Sequence, residues 1–232
     1  MEFRPRQQRG MFAWSPAIYG KSRLGAPLEV WLPSGPCKIL VFAGIHGDEG
    51  ETTATLSWAL RHLPGPARHC AVVLAANPDG LLRGTRANAA GVDLNRNFPA
   101  ANWRPDPIAY RVFADEPRDV ALSPGPKACS EPEVQALVTL IRELQPSEAV
   151  VAVHAPLACV EDPDRSRLGT WLAERSALPL VADIGYATPG SFGSWAPEHG
   201  CHEITYELPV ESGEQLLRRF APVFAELLTR DS

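Results

Sequence analysis

The sequence lacks any hydrophobic run long enough to cross a membrane. Its longest apolar segments, residues 39–45 and 71–76, fall far short of the roughly 18 residues that a membrane-spanning helix needs. Arg4, Arg6 and Arg9 lie near the start of the chain, but no apolar stretch of the kind found in secretory signals follows them. We therefore expect a cytoplasmic protein that does not associate with membranes.

Cysteine pairs and basic clusters are also missing. The five cysteines are widely spaced and include no C-x-x-C pair, which argues against a disulfide framework and a structural zinc knuckle. We expect them to be reduced thiols that pack in the core. Because the formal net charge is -5 and no run of Lys or Arg stands out, nucleic acid is not expected as a partner.

The motifs of several common enzyme classes are absent as well. The chain has no G-x-S-x-G nucleophile elbow, no phosphate-binding G-x-x-x-x-G-K-[ST] loop and no dinucleotide-binding G-x-G-x-x-G fingerprint. Cys159 lies five residues after His154 and could act as a nucleophile, but we regard this spacing as incidental.

The sequence does contain several short, continuous apolar runs. Residues 38–45, 70–76 and 149–154 are rich in aliphatic and β-branched side chains without polar alternation, which is typical of strands covered on both faces. Residues 202–208 alternate more and are a candidate for a further strand.

Helical patterns lie between these runs. Apolar residues recur at helical spacing in residues 51–63. Ser130 and Ser212 each begin an S-x-x-E or S-x-x-Q capping box ahead of an apolar stripe, and Pro222 predicts a kink or a break inside the last stripe. Alternating strands and helices predict an α/β fold, with a mixed, mostly parallel sheet flanked by helices and residues 1–232 forming one domain.

Residues 99–129 fit neither the strand period nor the helix period, and they are rich in proline. A loop of this length inside a compact domain usually has a function of its own. We expect this segment to form a wall of the substrate cleft.

Possible metal ligands follow two of the predicted strands. His46-Gly-Asp-Glu49 comes directly after residues 38–45, and His154 ends the run at residues 149–154. Catalytic zinc commonly takes three protein ligands, including two His and one Glu, and ligands of open α/β sheets bind beyond the carboxyl ends of the strands. Either histidine taken alone is explained as well by a hydrogen bond to the backbone. Together, His46, Glu49 and His154 predict a site for one zinc ion.

A larger set of motifs resembles the carboxypeptidase A-like zinc metallocarboxypeptidases, in that family's order and over most of the chain. The matching stretches are His46-Gly-Asp-Glu49, Asn77-Pro-Asp-Gly80, Gly91-Val-Asp-Leu-Asn-Arg-Asn-Phe98, His154 and Tyr206-Glu207-Leu208. Residues 86–103, 156–163 and 188–195 further resemble bacterial members that act on cell-wall peptides.

The resemblance implies a role for each matching residue. His46, Glu49 and His154 would bind zinc, and Asp93 would accept the other ring N–H of His46, which fixes the tautomer of a ligand. Glu207 would be the general base that removes a proton from the zinc-activated water.

The resemblance also implies residues that bind the substrate. Arg86 would stabilise the oxyanion, with Arg83 as a competing candidate that fits the motif spacing less well. Asn95 and Arg96 would hold the terminal carboxylate, since a guanidinium group makes two parallel bonds to a carboxylate.

The implied reaction is hydrolysis of the amide between the γ-carboxyl of D-glutamate and meso-diaminopimelate in a free murein tripeptide. The alternatives are a deacylase of acylated amino acids or an ordinary C-terminal carboxypeptidase; a non-catalytic peptide sensor is disfavoured because every ligand and the base are present. Ala155 stands where close relatives are expected to have an acidic residue, which leaves side-chain specificity open. Glu161 and Asp162 could recognise the distal amino group, but solvated loop charge is the favoured interpretation.

Overall fold

The computed structural model describes residues 3–111 and 119–230, and a mixed sheet of six strands forms its framework. Four neighbouring strands run parallel, and the fifth is antiparallel to the fourth but parallel to the sixth. In spatial order these strands are β4 (Cys70–Val73), β3 (Ile39–Ala43), β7 (Ala149–His154), β10 (Glu203–Pro209), β8 (Leu157–Glu161) and β9 (Leu180–Val181). The predicted mostly parallel sheet, including all four candidate strands, is confirmed.

The central strands are apolar on both faces because helices cover both sides of the sheet. Every residue of β3 and of β7 is buried. On one side the sheet packs against helices α1 (Gly50–Leu60), α4 (Arg167–Ser176) and α6 (Gly213–Thr229), and on the other against α3 (Pro132–Leu144) and α5 (Phe192–Glu198). The short helix α2 (Pro78–Arg83) follows β4.

The two predicted capping boxes have different outcomes. Ser212 caps α6 as predicted, with the side chain of Gln215 returning to the backbone of Ser212. The box at Ser130 is wrong, because α3 begins one residue later with Glu131 at its N-cap and with no side-chain cap. The hydroxyl of Ser130 is instead engaged by the side chains of Glu131 and Asn97.

Helix α6 does not break at Pro222. It continues to Thr229, and Pro222 lies on the exposed face of the helix. Proline removes one backbone hydrogen bond from a helix. At an exposed position water can satisfy the carbonyl that loses its partner, which explains why the helix persists.

Two smaller antiparallel pairs of strands accompany the main sheet. Strands β1 (Ala17–Lys21) and β2 (Pro27–Val30) form one pair, and β5 (Ile108–Arg111) and β6 (Asp119–Leu122) form the other. The second pair lies within residues 99–129, so that segment has regular structure that the sequence did not predict; its residues 112–118 lie outside the described part of the chain.

All five cysteines are free, and burial raises the pKa of the thiol of Cys159 to about 11, which disfavours the nucleophilic thiolate.

Among the described residues, no helix combines the length and the apolar character needed to cross a bilayer.

We expect Phe42→Ala to destabilise the fold strongly. Phe42 is fully buried on β3, and its ring meets that of Phe192 on α5 edge to face at 5.1 Å. Removing a buried phenylalanine costs about 3–5 kcal/mol of unfolding free energy. Urea denaturation of this variant and of Leu82→Ala, a leucine that is 83% exposed, measures the difference. Equal unfolding free energies for the two variants would contradict the packing described here.

Candidate metal centre and active-site cleft

Three candidate ligands meet at the carboxyl ends of two adjacent parallel strands. His46 follows β3 by three residues, Glu49 is the N-cap residue of α1, and His154 is the last residue of β7. Since β3 and β7 pair in parallel, both strands end at the same edge of the sheet. The structure thus brings together the three residues that the sequence predicted as ligands.

The donor atoms of these residues converge on one point. Nδ1 of His46 lies 2.7 Å from Oε1 of Glu49, and Nδ1 of His154 lies 3.2 Å from both Nδ1 of His46 and Oε2 of Glu49. All three side chains are buried. Lone pairs that face one another away from water need a shared proton or a cation between them. Tetrahedral zinc with bonds of about 2.0–2.1 Å holds its nitrogen ligands roughly 3.3 Å apart, so this donor set fits a metal ion.

Asp93 and Arg86 surround the ligands with charge. Asp93 is fully buried; its Oδ1 lies 3.4 Å from Nε2 of His46, and its Oδ2 accepts a hydrogen bond of 3.1 Å from Nε of Arg86. Nη1 of Arg86 donates to Oε1 of Glu49 at 3.2 Å. Two carboxylates and one guanidinium therefore lie directly around the imidazole of His46.

These contacts keep the acids ionised despite their burial. Burial alone would raise the pKa of Glu49, but His46 and His154 lower it far more, and the net pKa is well below the usual range. Burial likewise opposes the ionisation of Asp93, while His46 and Arg86 hold its pKa well below normal. The centre therefore contains two ionised carboxylates, which favour a cation beside them.

The loop that carries His46 packs on the start of α2. A Cβ atom at Gly47 would lie 2.1 Å from the carbonyl carbon of Gly80, a distance that no side chain allows. Asn77 caps α2 by accepting from the N–H of Gly80, and its Nδ2 donates to the carbonyl of Ile45 at 3.3 Å. The Asn77-Pro-Asp-Gly80 motif thus packs against the loop that carries His46 and holds it in place.

An open cleft of about 410 Å³ adjoins the candidate centre. Seven of the eight predicted site residues line it, and the eighth, Asp93, lies behind His46. Arg83 is exposed, donates to the carbonyl of Asp79 and is not part of the lining, so the structure places Arg86 and not Arg83 in the cleft. The seven lining residues are His46, Glu49, Arg86, Asn95, Arg96, His154 and Glu207.

Glu207 lies on the strand next to His154. It pairs with His154 across the parallel strands β7 and β10, whose backbones lie about 4.8 Å apart. Its Oε2 accepts from the N–H of Leu157 at 3.2 Å. Burial raises the pKa of Glu207 above its ordinary value, although His154 acts in the opposite direction.

Asn95 and Arg96 lie on a short helical turn that Asp93 begins. Oδ1 of Asp93 accepts from the N–H of Asn95 at 2.9 Å and so caps the turn. Asn95 in turn accepts from the N–H of Phe192 at 2.8 Å, which ties this turn to the start of α5. Arg96 is only 8% exposed, and burial lowers its pKa, so its guanidinium is a poorly hydrated group at the cleft wall.

The segment 99–129 contributes to a wall of the cleft, as predicted. Ile108, Ala109 and Tyr110 line the cleft. The guanidinium of Arg86 stacks over the ring of Tyr110 at 4.5 Å, and the hydroxyl of Tyr110 donates to Asp48. Sequence reasoning missed Tyr110, although the short alternation at residues 108–111 was a signal for a strand there.

Other lining residues were missed or misjudged. Glu203 and Thr205 line the cleft with Glu207, and their alternate positions on the predicted strand would have placed them on one face. The solvated-loop interpretation is wrong for both candidate acids. Glu161 is half-buried in the cleft, while Asp162 is fully buried and accepts hydrogen bonds from Ser166 and His202, away from the lining.

The comparison with known families agrees with this geometry. The sequence profile of the zinc carboxypeptidase family matches residues 20–157, which include all three candidate ligands. The chain belongs to the zinc carboxypeptidase family. As a zinc carboxypeptidase, it is a hydrolase that acts on peptide or amide bonds.

Individual zinc carboxypeptidases match the chain over almost its whole length. Murein peptide amidase A of Escherichia coli is 51% identical over 229 residues, which cover 97% of this chain and 94% of that protein. Murein peptide amidase A of Vibrio campbellii is 45% identical over 231 residues, covering 98% of this chain and 92% of that protein.

Solved structures give the same result for the fold. The crystal structure of the murein-tripeptide amidase from Escherichia coli O157 superimposes with a TM-score of 0.95 at 47% identity, covering 100% of this chain and 99% of that one. Bovine thrombin-activatable fibrinolysis inhibitor matches with a TM-score of 0.70 at 18% identity, over 92% of this chain and 88% of that one, which supports the carboxypeptidase-like fold alone.

Proposed function

We propose that this zinc carboxypeptidase hydrolyses the amide between the γ-carboxyl of D-glutamate and meso-diaminopimelate in free murein tripeptide. The observation that carries the proposal is the convergence of His46, Glu49 and His154 beside Glu207 in a cleft, within a chain that aligns almost end to end with murein peptide amidases. A peptide freed from the wall and recycled inside the cell suits a cytoplasmic enzyme.

We further propose that His46, Glu49 and His154 hold one zinc ion per chain. The three buried donor atoms support this, as does the zinc dependence that the family name states. When bound, zinc supplies a Lewis acid that polarises a carbonyl group and lowers the pKa of water to about 7. Asp93 lies against Nε2 of His46 and so favours the tautomer whose Nδ1 lone pair faces the centre.

Glu207 is the general base in this proposal. Its carboxylate would take a proton from the attacking water and return it to the amine that leaves. Burial raises the pKa of Glu207, which makes its carboxylate a better proton acceptor than an exposed glutamate. The hydrogen bond from the N–H of Leu157 fixes the orientation of the carboxylate.

Three polar side chains would bind the peptide. Arg86, whose guanidinium is held by Asp93, Glu49 and the ring of Tyr110, is an oriented donor for the oxyanion. Asn95 and Arg96 would hold the terminal carboxylate of diaminopimelate. Both side chains line the same cleft as Glu207, so a carboxylate bound there would lie in one cleft with the base.

The tripeptide L-Ala-γ-D-Glu-meso-diaminopimelate should release diaminopimelate when incubated with the purified protein. Chromatography of the products, with and without a zinc chelator, measures release and its metal dependence. Release that the chelator abolishes and added zinc restores supports the proposal. If a simple acylamino acid or an ordinary α-linked peptide is cleaved and the tripeptide is not, the murein assignment is wrong.

Glu207→Gln should retain zinc but lose turnover on the tripeptide by about 100- to 10,000-fold, since the amide cannot accept the proton. Metal analysis and the release assay measure the two properties in one sample. Glu174→Gln, which changes an exposed glutamate of α4, is the matched control and should behave as the wild type. Near-normal turnover in Glu207→Gln would remove this residue as the base.

Arg96→Ala should weaken the reaction of the tripeptide with a free terminal carboxylate by roughly 100-fold in kcat/KM, because a charge-assisted pair is lost. The same tripeptide with an amidated terminus should be a poor substrate for the wild type and should lose little more in the variant. Arg83→Ala, at an exposed position outside the cleft, is the control. An equal loss on both substrates would contradict the assigned role.

A further inference from the structure

A second cavity lies outside the cleft, where the start of the chain packs on the end of α1. Its volume is about 190 Å³. The N–H of Arg4 donates to the carbonyl of His62 at 2.8 Å, and the ring of Phe3 meets that of His62 edge to face. No acidic residue is among those that line the cavity, which are Arg6, Arg9, Gly10, Trp58, Arg61 and His62.

Two guanidinium groups are held beside the rings of Trp58 and His62. Nη1 of Arg9 donates to Nε2 of His62 at 2.7 Å, and its Nε donates to the carbonyl of Arg4 at 2.7 Å. The guanidinium of Arg61 lies over the ring of Trp58 at 4.9 Å, and its Nη1 donates to the carbonyl of Arg9 at 3.3 Å. Both positive charges therefore adjoin one pair of rings at the same cavity.

These charges have no acidic partner in the part of the chain that the structure describes. The side chains of Arg9 and Arg61 donate only to carbonyl oxygens and to an imidazole nitrogen, which carry no net charge. Nη2 of each arginine makes no hydrogen bond to a described residue, and neither does the exposed side chain of Arg6. Because like charges repel one another, the cluster favours an anion in the cavity.

The histidine beside the arginines lies in their positive field. Nδ1 of His62 donates to the carbonyl of Trp58 at 2.7 Å, so Nε2 carries the lone pair that accepts from Arg9. Burial lowers the pKa of His62, and the charges of Arg9 and Arg61 lower it further, although the bond to Trp58 acts in the opposite direction. The imidazole is therefore neutral, and a bound anion would raise its pKa.

The free donors fit a compact anion with more than one charge. A guanidinium group has five N–H donors in one plane and binds phosphate oxygens in pairs. Three such groups around one small cavity match a phosphate better than a carboxylate, because a phosphate carries about two charges on one centre. The ring of Trp58, which is 38% exposed, adds an apolar surface beside them.

We propose that Arg6, Arg9 and Arg61 form a binding site for a phosphate-bearing small molecule at the end of α1. The site is separate from the cleft, because the two share no lining residue. Glu49 caps the opposite end of α1, and the 11 residues of the helix place its two ends roughly 16 Å apart. The proposal therefore does not depend on the reaction at the candidate metal centre.

Inorganic pyrophosphate is the probe, titrated calorimetrically into the full-length, zinc-loaded protein. The wild type should bind one pyrophosphate at this site. Arg9→Gln and Arg61→Gln should each weaken binding by about 10- to 100-fold, the range expected for losing a hydrogen bond to a charged group. Arg167→Gln, which changes an exposed arginine of α4, is the matched control and should bind as the wild type. Undiminished binding in both variants would place the anion elsewhere, as at the metal, and overturn the site.

Arg6→Gln keeps the test valid if the other two variants fold poorly. The side chain of Arg6 makes no hydrogen bond to a described residue, so its loss should leave the thermal unfolding temperature unchanged. Binding of pyrophosphate should nevertheless weaken severalfold, because one of three positive charges is lost. Wild-type affinity in this variant would remove Arg6 from the site.

Two further measurements identify the ligand class and the place of binding. Malonate, a dicarboxylate of similar length, should bind about 10-fold more weakly than pyrophosphate, because it has fewer charges and acceptor oxygens. Equal affinities would indicate unspecific attraction of anions and overturn the phosphate site. The pKa of His62, followed by NMR, should rise when pyrophosphate binds. An unchanged pKa of His62 at saturating pyrophosphate would also overturn the proposal.

Discussion

Two imidazoles and a carboxylate buried at one point are unfavourable unless a shared proton or a cation lies among them. Each group has given up water, and the nitrogen and oxygen lone pairs of His46, His154 and Glu49 face one another within 3.2 Å. Burial of polar and charged groups is paid for only by good partners. The parallel pairing of β3 with β7 brings the chain segments that carry these side chains to the same edge of the sheet and so holds the three groups together.

The surrounding charges follow from this constraint. Asp93 lies against Nε2 of His46, and its negative charge favours a proton on that nitrogen, which leaves Nδ1 facing Glu49 and His154. Two buried carboxylates so close together would repel each other, and Arg86 bridges Asp93 and Glu49 with its single positive charge. The guanidinium group of Arg86 also stacks over the ring of Tyr110. The same contacts that hold the centre together thus also fix the orientation of a guanidinium group that lines the cleft.

The three candidate ligands could be predicted from local features of the sequence, whereas Asp93 and Arg86 were predicted only from the resemblance to a known family. The apolar runs mark buried strands, and a histidine directly after such a run lies at the sheet edge where ligands bind. What failed depends on contacts distant in sequence. Ser130 has the pattern of a cap, but Asn97 engages its hydroxyl. Strand β8 lacks the composition of a central strand, so nothing in the sequence indicated that Glu161 pairs opposite Thr205 and faces the cleft.

Strand β10 links the candidate metal centre to the far end of the cleft floor. One rigid strand carries Glu207 beside the metal centre and Glu203 at the far end of the floor, with a spacing set by the backbone alone. The start of α5 contacts both ends of this region, because the N–H of Phe192 donates to Asn95 while Gly193 lies next to Glu203. The cleft wall at Asn95 and its floor at Glu203 thus both adjoin the same helix, which ties the shape of the cleft to the packing of α5 on the sheet.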